Sequence, residues 1–286
     1  MSVDKLQEKI RKLKNPSVID FSVTEAQIPP HILGEEGGFA EGYLRFCREQ
    51  MAELKNIVPA VRFSFSHFAL LGQLPLLYQT VAYAKEQGFY VIVDAPEALS
   101  VQAAELAAQQ MLSIPCDAVL TSAYIGSDAV KPYVKDLKSS GKALFIVVRT
   151  ANRSASELQD LMTGSRLVHM ASADIVNRLG EALPCRCGYN QVAALASASA
   201  PDSLKSLRAK YKNVFLLLDG YDYPNANAKN CSYAFDKLGH GAAACAGTSV
   251  MAAWKAEDTD GTDHAALALQ AAERMKKNIT RYITVL

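Results

Sequence analysis

Eight short runs of apolar, mostly β-forming residues recur along this chain of 286 residues, and a segment with helical spacing follows nearly every run. Strands that are buried on both faces of a parallel sheet have this continuous apolar pattern. Eight strand–helix units in a chain of this length predict one domain, a (β/α)8 TIM barrel over residues 1–286. The predicted strands start near residues 18, 57, 89, 117, 143, 185, 214 and 242.

A doubly wound open sheet is the alternative arrangement of such units. No Gly-x-Gly-x-x-Gly or Walker loop follows any of the runs, so the nucleotide-binding motifs of open sheets give it no support. The barrel is predicted to carry two additional helices. One is an amphipathic N-terminal helix with Val3, Leu6 and Ile10 on its apolar face, and the other is a long C-terminal helix over residues 263–282.

Composition excludes several classes of protein. The net charge of +1 gives no reason to expect nucleic acid as a partner. No stretch approaches the roughly 20 apolar residues of a membrane span, and residues 1–14 lack a signal-peptide core, so we expect a cytoplasmic protein with no membrane partner. The six cysteines have no zinc-site spacing, and the five histidines form no ligand motif. We expect no metal and no cofactor.

Polar residues occur where the predicted strands end, which is the face that carries the site in a barrel. Arg62 lies within the apolar pattern of the second strand, so its charge needs a carboxylate partner. Asp94 and Asp20 end the neighbouring strands, and we predict that one or both pair with it. The candidate ligand-binding residues at these ends are Asp20, Ser122, Arg149, Thr150, Asp219, Asp222 and Thr248.

The order and spacing of several short segments give a resemblance that runs nearly end to end. They are residues 57–61, 90–94, 117–119, 124–128, 147–152, 157–161, 220–221 and 235–239. With these segments the chain resembles the orotidine 5′-phosphate decarboxylase family, in its longer bacterial branch. The resemblance implies a TIM barrel, a homodimer with the site near the subunit interface, and cofactor-free decarboxylation of orotidine 5′-phosphate to UMP. Asn152, Gln159 and Tyr221 lie in the matching segments and join the candidate ligand-binding residues.

The catalytic motif of that family is altered in this chain. The resemblance places the family's second-strand Lys on Arg62 and the first Asp of its Asp-x-Lys-x-x-Asp-Ile motif on Asp94. The Lys that donates the proton falls on Pro96, and the second Asp, supplied across the dimer, falls on Leu99. Proline and leucine neither donate a proton nor carry charge. Asp94 and Arg62 therefore remain as the candidate catalytic residues.

The phosphate-binding end is altered as well. The resemblance places the family's phosphate Gln on Pro224, its phosphate Arg on Thr248 and a pyrimidine-contacting Ser on Ala151. Asp219 and Asp222 add negative charge that would repel a phosphate dianion.

Three interpretations stay open. The first is an inactive homologue that serves as a binding or partner protein, in some cases paired with an active decarboxylase subunit. The second is a barrel repurposed for another small polar ligand at its C-terminal face. The third is an active decarboxylase with replacement groups.

Overall fold

Eight parallel strands form a closed barrel in the computed structural model, which describes residues 2–285. The strands follow one another in sequence order around the barrel, and the first pairs with the last. This confirms the predicted fold class and excludes the open sheet. The barrel strands are β1 (Ser17–Asp20), β2 (Ala60–Ser64), β3 (Tyr90–Asp94), β4 (Ala118–Ser122), β5 (Ala143–Val147), β8 (Val192–Ser197), β9 (Leu216–Asp219) and β10 (Ala242–Ala246), while β6 (Met162–Thr163) and β7 (Arg166–Leu167) form a separate hairpin.

Helices surround the barrel, and short helices lie within the loops that connect its strands. They are α1 (Ser2–Leu13), α2 (Pro30–Glu36), α3 (Phe39–Leu54), α4 (Phe65–Leu70), α5 (Leu74–Glu86), α6 (Val101–Ser113), α7 (Lys131–Ser140), α8 (Ser156–Gln159), α9 (Val168–Gly180), α10 (Pro201–Lys210), α11 (Ala228–Ser232), α12 (Thr248–Met251), α13 (Ala253–Ala256) and α14 (His264–Thr280). None of the helices within residues 2–285 combines the length and the apolarity that crossing a bilayer requires.

Strand alternation separates two apolar cores. Val61 and Phe63 of β2 belong to the layer between the barrel and its helices. Ala60, on the opposite face of the same strand, belongs to the cluster that fills the barrel interior with residues such as Phe145 and Leu217. Because side chains alternate along a strand, Arg62 shares the inward face with Ala60. The sequence of β2 therefore places a charge inside the barrel.

The N-terminal helix α1 closes the end of the barrel where the strands begin. Val3, Leu6 and Ile10 are fully buried and belong to the same apolar cluster as the barrel interior. The Ser2 hydroxyl lies 2.8 Å from the Tyr90 hydroxyl, which fixes the start of the helix to β3. The predicted extra helix is confirmed, and its function is to cover apolar side chains at the bottom of the barrel.

The sixth barrel strand lies further along the chain than predicted. Residues 185–189, predicted to be a strand, form a tight turn in which the Cys185 amide donates to the Tyr189 carbonyl oxygen and Gly188 has a φ of 89°. The strand is Val192–Ser197, all of whose residues are buried. Three of its residues are alanines, which have low β-propensity, so the pattern did not mark it as a strand.

Replacing Leu6 with alanine tests the closure by α1. The change removes a fully buried side chain from the barrel end, so we expect the free energy of unfolding to fall by about 2–5 kcal/mol in urea titrations. The exposed residue Glu8 provides the control on the same helix, and Glu8→Ala should change stability by less than about 0.5 kcal/mol. Equal effects of both substitutions would contradict a packing role for this face.

Candidate functional site

Arg62 lies at the centre of the polar groups at the mouth of the barrel. Its side chain is only 12% exposed, and its Nε and Nη2 atoms both donate to the Asp94 carboxylate, with a shortest distance of 2.6 Å. Its Nη1 atom donates to Asp219 at 2.7 Å. The predicted pairing of Arg62 with Asp94 is confirmed, and Asp219, from the opposite part of the sequence, is a second strong partner.

Asp20 completes this Arg62 cluster. One of its carboxylate oxygens lies 3.9 Å from Arg62 Nε, while the other accepts the Ser22 amide at 2.8 Å. The parallel pairing of β1 with β2 places Asp20 directly beside Arg62 in register. One guanidinium is thus shared by three carboxylates, and all three of its nitrogen atoms already have acceptors.

Burial and charge act in opposite directions on the groups of the Arg62 cluster. Burial raises the pKa of Asp94 to about 6, an effect that the nearby Arg62 charge only partly offsets. Burial also disfavours the charged form of Arg62, but Asp94, Asp219 and Asp20 outweigh it and raise its pKa above the ordinary value. Arg62 is therefore permanently charged, and Asp94 titrates close to neutral pH.

Two cavities open on either side of Arg62. The first, of about 490 Å³, is lined by Asp20, Asp219, Asp222 and Thr248 among others. The second, of about 570 Å³, is lined by Asp94, Pro96 and Ser122. Arg62 lines both cavities, and neither wall contains a lysine within the described part of the chain. Five of the predicted residues thus surround one cavity, whereas Asp94 and Ser122 face the other.

The Asp222 carboxylate accepts hydrogen bonds from the backbone amides that follow β10. It accepts the Gly247 amide at 2.7 Å and the Ser249 amide at 3.4 Å, and it also accepts the Ser249 hydroxyl. In TIM barrels the last two loops and the start of a short helix frequently bind a phosphate group. In this chain a side chain of the protein itself holds the equivalent donors, so an anionic ligand would have to displace Asp222.

Three of the other predicted residues contact one another and hold a loop. Arg149 is 9% exposed and donates to both oxygens of Asp160, at 3.0 and 2.9 Å. The Gln159 side chain bonds the backbone amide and the hydroxyl of Thr150. These groups brace the segment between β5 and α8 and lie apart from the Arg62 cluster.

Asn152 and Tyr221 also lie outside the first cavity. Asn152 lines a smaller cavity of about 390 Å³ with Arg149 and Pro224. Tyr221 is half-buried against the outer apolar core, and burial raises the pKa of its hydroxyl to about 12.

Sequence reasoning missed several residues that line the first cavity. Tyr223 lines it in place of Tyr221, and Gln27, from the loop after β1, reaches the Thr248 hydroxyl at 3.3 Å. Gly220 allows Tyr223 to approach, because a Cβ at this position, with its φ of 76°, would lie 2.6 Å from the Tyr223 ring. The Gly-Tyr-Asp-Tyr run after β9 was the available signal, but it could not distinguish between the two tyrosines.

The donor groups of the Arg62 cluster do not form a metal site. Within residues 2–285, no group of three His, Cys, Asp or Glu side chains is arranged so that it could hold a metal ion. Asp94 and Asp219 bind Arg62 instead, and Asp222 binds backbone amides.

Asp94→Asn should show the energetic cost of the buried carboxylate. Because the pKa of Asp94 is raised to about 6 in the folded state, the folded protein binds this proton more tightly than the unfolded chain. The contribution of Asp94 to stability is therefore present at low pH and is lost as the pH rises through about 6. Asn has no such pH dependence, so the stability of D94N relative to the wild type should increase by about 1 kcal/mol between pH 5 and pH 7.5, measured by urea unfolding.

The exposed Asp202 provides the control for this experiment. The stability difference between Asp202→Asn and the wild type should stay nearly constant over the same pH range. A constant difference for D94N as well would show that burial does not raise the pKa of Asp94.

Comparison with known proteins identifies relatives along the whole chain, although no protein-family model matches it. The orotidine 5′-phosphate decarboxylase of Clostridium kluyveri is 24% identical over 287 residues, and the match covers 98% of both chains. The enzyme of the same name from Rhodopirellula baltica is 27% identical over 229 residues, covering 77% of this chain and 76% of the relative.

Solved structures give the same fold. The orotidine 5′-monophosphate decarboxylase of Plasmodium berghei superposes with a TM-score of 0.78 at 11% identity and covers 98% of this chain and 99% of its own. The OMP decarboxylase of Leishmania donovani has a TM-score of 0.71 at 17% identity, with 98% and 99% covered. Along its whole length this chain is therefore similar to orotidine 5′-phosphate decarboxylases at 22–27% identity, and it shares their closed eight-stranded barrel.

Proposed function

We propose that this chain has lost orotidine 5′-phosphate decarboxylation, so that its barrel mouth is catalytically inactive, and that it acts as a binding or partner protein, in a homodimer. The observation that carries the proposal is the charge arrangement at the barrel mouth, where the guanidinium of Arg62 is held by three carboxylates and no lysine lines either cavity in the described residues. Decarboxylation leaves a carbanion-like product that needs a proton donor. The resemblance puts this donor at the position of Pro96.

Neither Arg62 nor Asp94 at the mouth is a suitable replacement for this proton donor. Arg62 stays protonated at any physiological pH, so it cannot donate a proton. Asp94, with a pKa of about 6, is mostly ionised at pH 7, and its oxygens are engaged by Arg62. The chemistry of the family therefore lacks both its acid and a free cation in this chain.

Binding of the substrate phosphate is also disfavoured. The amides of Gly247 and Ser249 already bind Asp222, and Thr248 stands where the resemblance expects the phosphate-binding Arg. Asp219 and Asp20 line the same cavity, so a phosphate dianion would enter a negatively charged site. Binding energy from this remote group drives catalysis in enzymes that depend on it, so its loss would lower the rate as well as the affinity.

A barrel repurposed for another small polar ligand is the second candidate function. The acidic wall of the first cavity favours it, because Asp20, Asp219 and Asp222 outnumber the one guanidinium that lines this space. A ligand with a basic group would fit that charge, whereas a nucleotide would not.

A turnover and binding assay tests the proposal. Purified protein is mixed with orotidine 5′-phosphate, and decarboxylation is followed by the absorbance change, with an active decarboxylase as the positive control. We expect no rate above the uncatalysed reaction and no thermal shift with UMP. Measurable turnover would refute the loss of activity, and a shift with a basic metabolite alone would favour the repurposed barrel.

Asp222→Ala should increase the affinity for inorganic phosphate. The substitution frees two backbone amides and removes one negative charge from the cavity, and both changes favour an anion. Affinity is measured by phosphorus NMR titration. The control is Asp260→Ala, since Asp260 is also exposed and accepts a nearby amide and hydroxyl but does not line the first cavity. Equal phosphate binding by both variants would contradict the role assigned to Asp222.

Exposed leucines beside the second cavity support the proposed homodimer. Leu70 is 89% exposed and Leu99 is 88% exposed. They follow β2 and β3, and the exposed Ile125 follows the neighbouring β4. Large apolar side chains grouped in this way are typical of an interaction surface. The resemblance places a cross-dimer residue at Leu99, so a dimer that covers this patch would lie next to the second cavity.

The double variant Leu70→Glu, Leu99→Glu should be monomeric. Two charges in the centre of an apolar interface would remain buried without partners, which costs several kcal/mol of association energy. Light scattering coupled to gel filtration gives the mass in solution. Leu238→Glu is the matched control, because Leu238 is 50% exposed in the loop before β10. A wild type that is already monomeric would remove the dimer from the proposal.

A further inference from the structure

A serine, a histidine and an aspartate lie in contact outside the Arg62 cluster. Ser203 Oγ is 2.8 Å from His169 Nε2, and His169 Nδ1 is 3.3 Å from Asp160 Oδ1. Ser203 is in the first turn of α10 and His169 in the first turn of α9, while Asp160 directly follows α8. This Ser203–His169–Asp160 triad lies between the loops that follow β5 and β8, at the edge of the same barrel face.

The surroundings of His169 determine which of its nitrogens carries the proton. Nδ1 lies 2.9 Å from the carbonyl oxygen of Gln159 as well as near the Asp160 carboxylate, and both of these groups can only accept. Nδ1 must therefore carry the hydrogen in the neutral ring. Nε2 is left as the acceptor, so the Ser203 hydroxyl donates to it. This is the direction in which a histidine activates a serine nucleophile.

Asp160 is itself held in place. Arg149 binds both of its oxygens, and Arg149 is buried and also donates to the Thr150 carbonyl oxygen at 2.8 Å. The carboxylate beside His169 is thus oriented by a rigid partner. A base that is oriented by a third group is the arrangement that serine hydrolases share across unrelated folds.

The triad lines a cavity of its own. The cavity has a volume of about 380 Å³, and Arg149, Asp160, His169 and Ser203 all contribute to its wall, with Leu167 and Met170 as apolar neighbours. Ser203 is partly exposed, whereas His169 is 2% exposed. Ser203 is therefore partly open to solvent, and the base behind it is shielded from water.

We propose that Ser203, His169 and Asp160 hydrolyse carboxylic esters with a small apolar acyl group. Ser203 Oγ forms a bond to the ester carbonyl carbon while its proton passes to His169 Nε2. The C–O bond to the alcohol then breaks, and His169 returns the proton to the departing alkoxide. A water molecule then attacks the carbonyl carbon of the acyl-serine while its proton passes to His169 Nε2. The bond to Ser203 Oγ breaks, His169 returns the proton to Oγ, and the carboxylic acid is released. Asp160 stabilises the transient imidazolium.

The amides of Asp202 and Ser203 at the start of α10 are donors for the tetrahedral oxyanion, since Pro201 has no N–H. The first-turn amides of a helix have no acceptor within the helix, and its N-terminus carries partial positive charge. Ser203 lies in that first turn, and the helix is 10 residues long. Leu167 and Met170 favour an apolar acyl chain, and the cavity volume limits it to a short one.

A fluorophosphonate probe and p-nitrophenyl butyrate test the proposal on the intact chain. We expect one probe molecule per chain, attached to Ser203 in the peptide map of the wild type. Ser203→Ala should lose the labelling and reduce ester hydrolysis by about 100-fold, the scale of general-base-assisted attack. Ser139→Ala is the control, because Ser139 is an exposed serine of α7 that does not line this cavity.

The outcomes distinguish this activity from a structural hydrogen bond. Labelling at Ser203 with unchanged labelling and hydrolysis in Ser139→Ala supports the triad. An unlabelled wild type, or hydrolysis that is equal in the wild type and Ser203→Ala, overturns it, and this conclusion does not depend on whether the variant folds well. Orotidine 5′-phosphate turnover has no bearing on the result, so the proposal stands apart from the lost decarboxylation.

Discussion

The guanidinium of Arg62 is a permanent charge at the top of a barrel interior that is otherwise apolar. Taking such a group out of water costs several kcal/mol unless its donors are satisfied and its charge is paired. Asp94 and Asp219 satisfy the donors directly, and Asp20 adds charge nearby. These three carboxylates determine the charge of both cavities at the mouth. They hold the one positive group, Arg62, and their negative charges outnumber it.

The same interaction separates this chain from the decarboxylases that it resembles. A family site needs a cation that can approach the substrate and an acid that can give up a proton. Here the cation is paired with carboxylates of the protein, and the resemblance places Pro96 at the position of the acid. In addition, the Asp222 carboxylate accepts the hydrogen bond of a backbone amide after β10. That amide is therefore not free for an anionic ligand. If the chain has lost decarboxylation as proposed, these three differences act on chemistry, charge and phosphate binding together, and restoring one residue would not restore the activity.

The barrel framework accepts these changes because its stability comes from other residues. The helix α1 and most side chains of the interior cluster and the outer apolar layer do not line the cavities at the mouth, with exceptions such as Leu120 and Cys245. Loops at the C-terminal face can therefore change function while the fold stays the same. The Ser203–His169–Asp160 triad lies at a different part of the same face, where the loops after β5 and β8 come together.

The sequence by itself determined the barrel, the N-terminal helix and the pairing of Arg62 with Asp94, because these follow from periodicity and from neighbouring strands. It misplaced the sixth barrel strand, since the alanine-rich run at Val192–Ser197 carries a weak strand signal. Only the tertiary structure revealed Asp219 as a partner of Arg62, 157 residues away in sequence. The tertiary structure also places Arg149 in contact with Asp160, the Asp222 carboxylate on the Gly247 amide, and Ser203 beside His169. These contacts depend on how loops from distant strands meet, and no local pattern encodes that geometry.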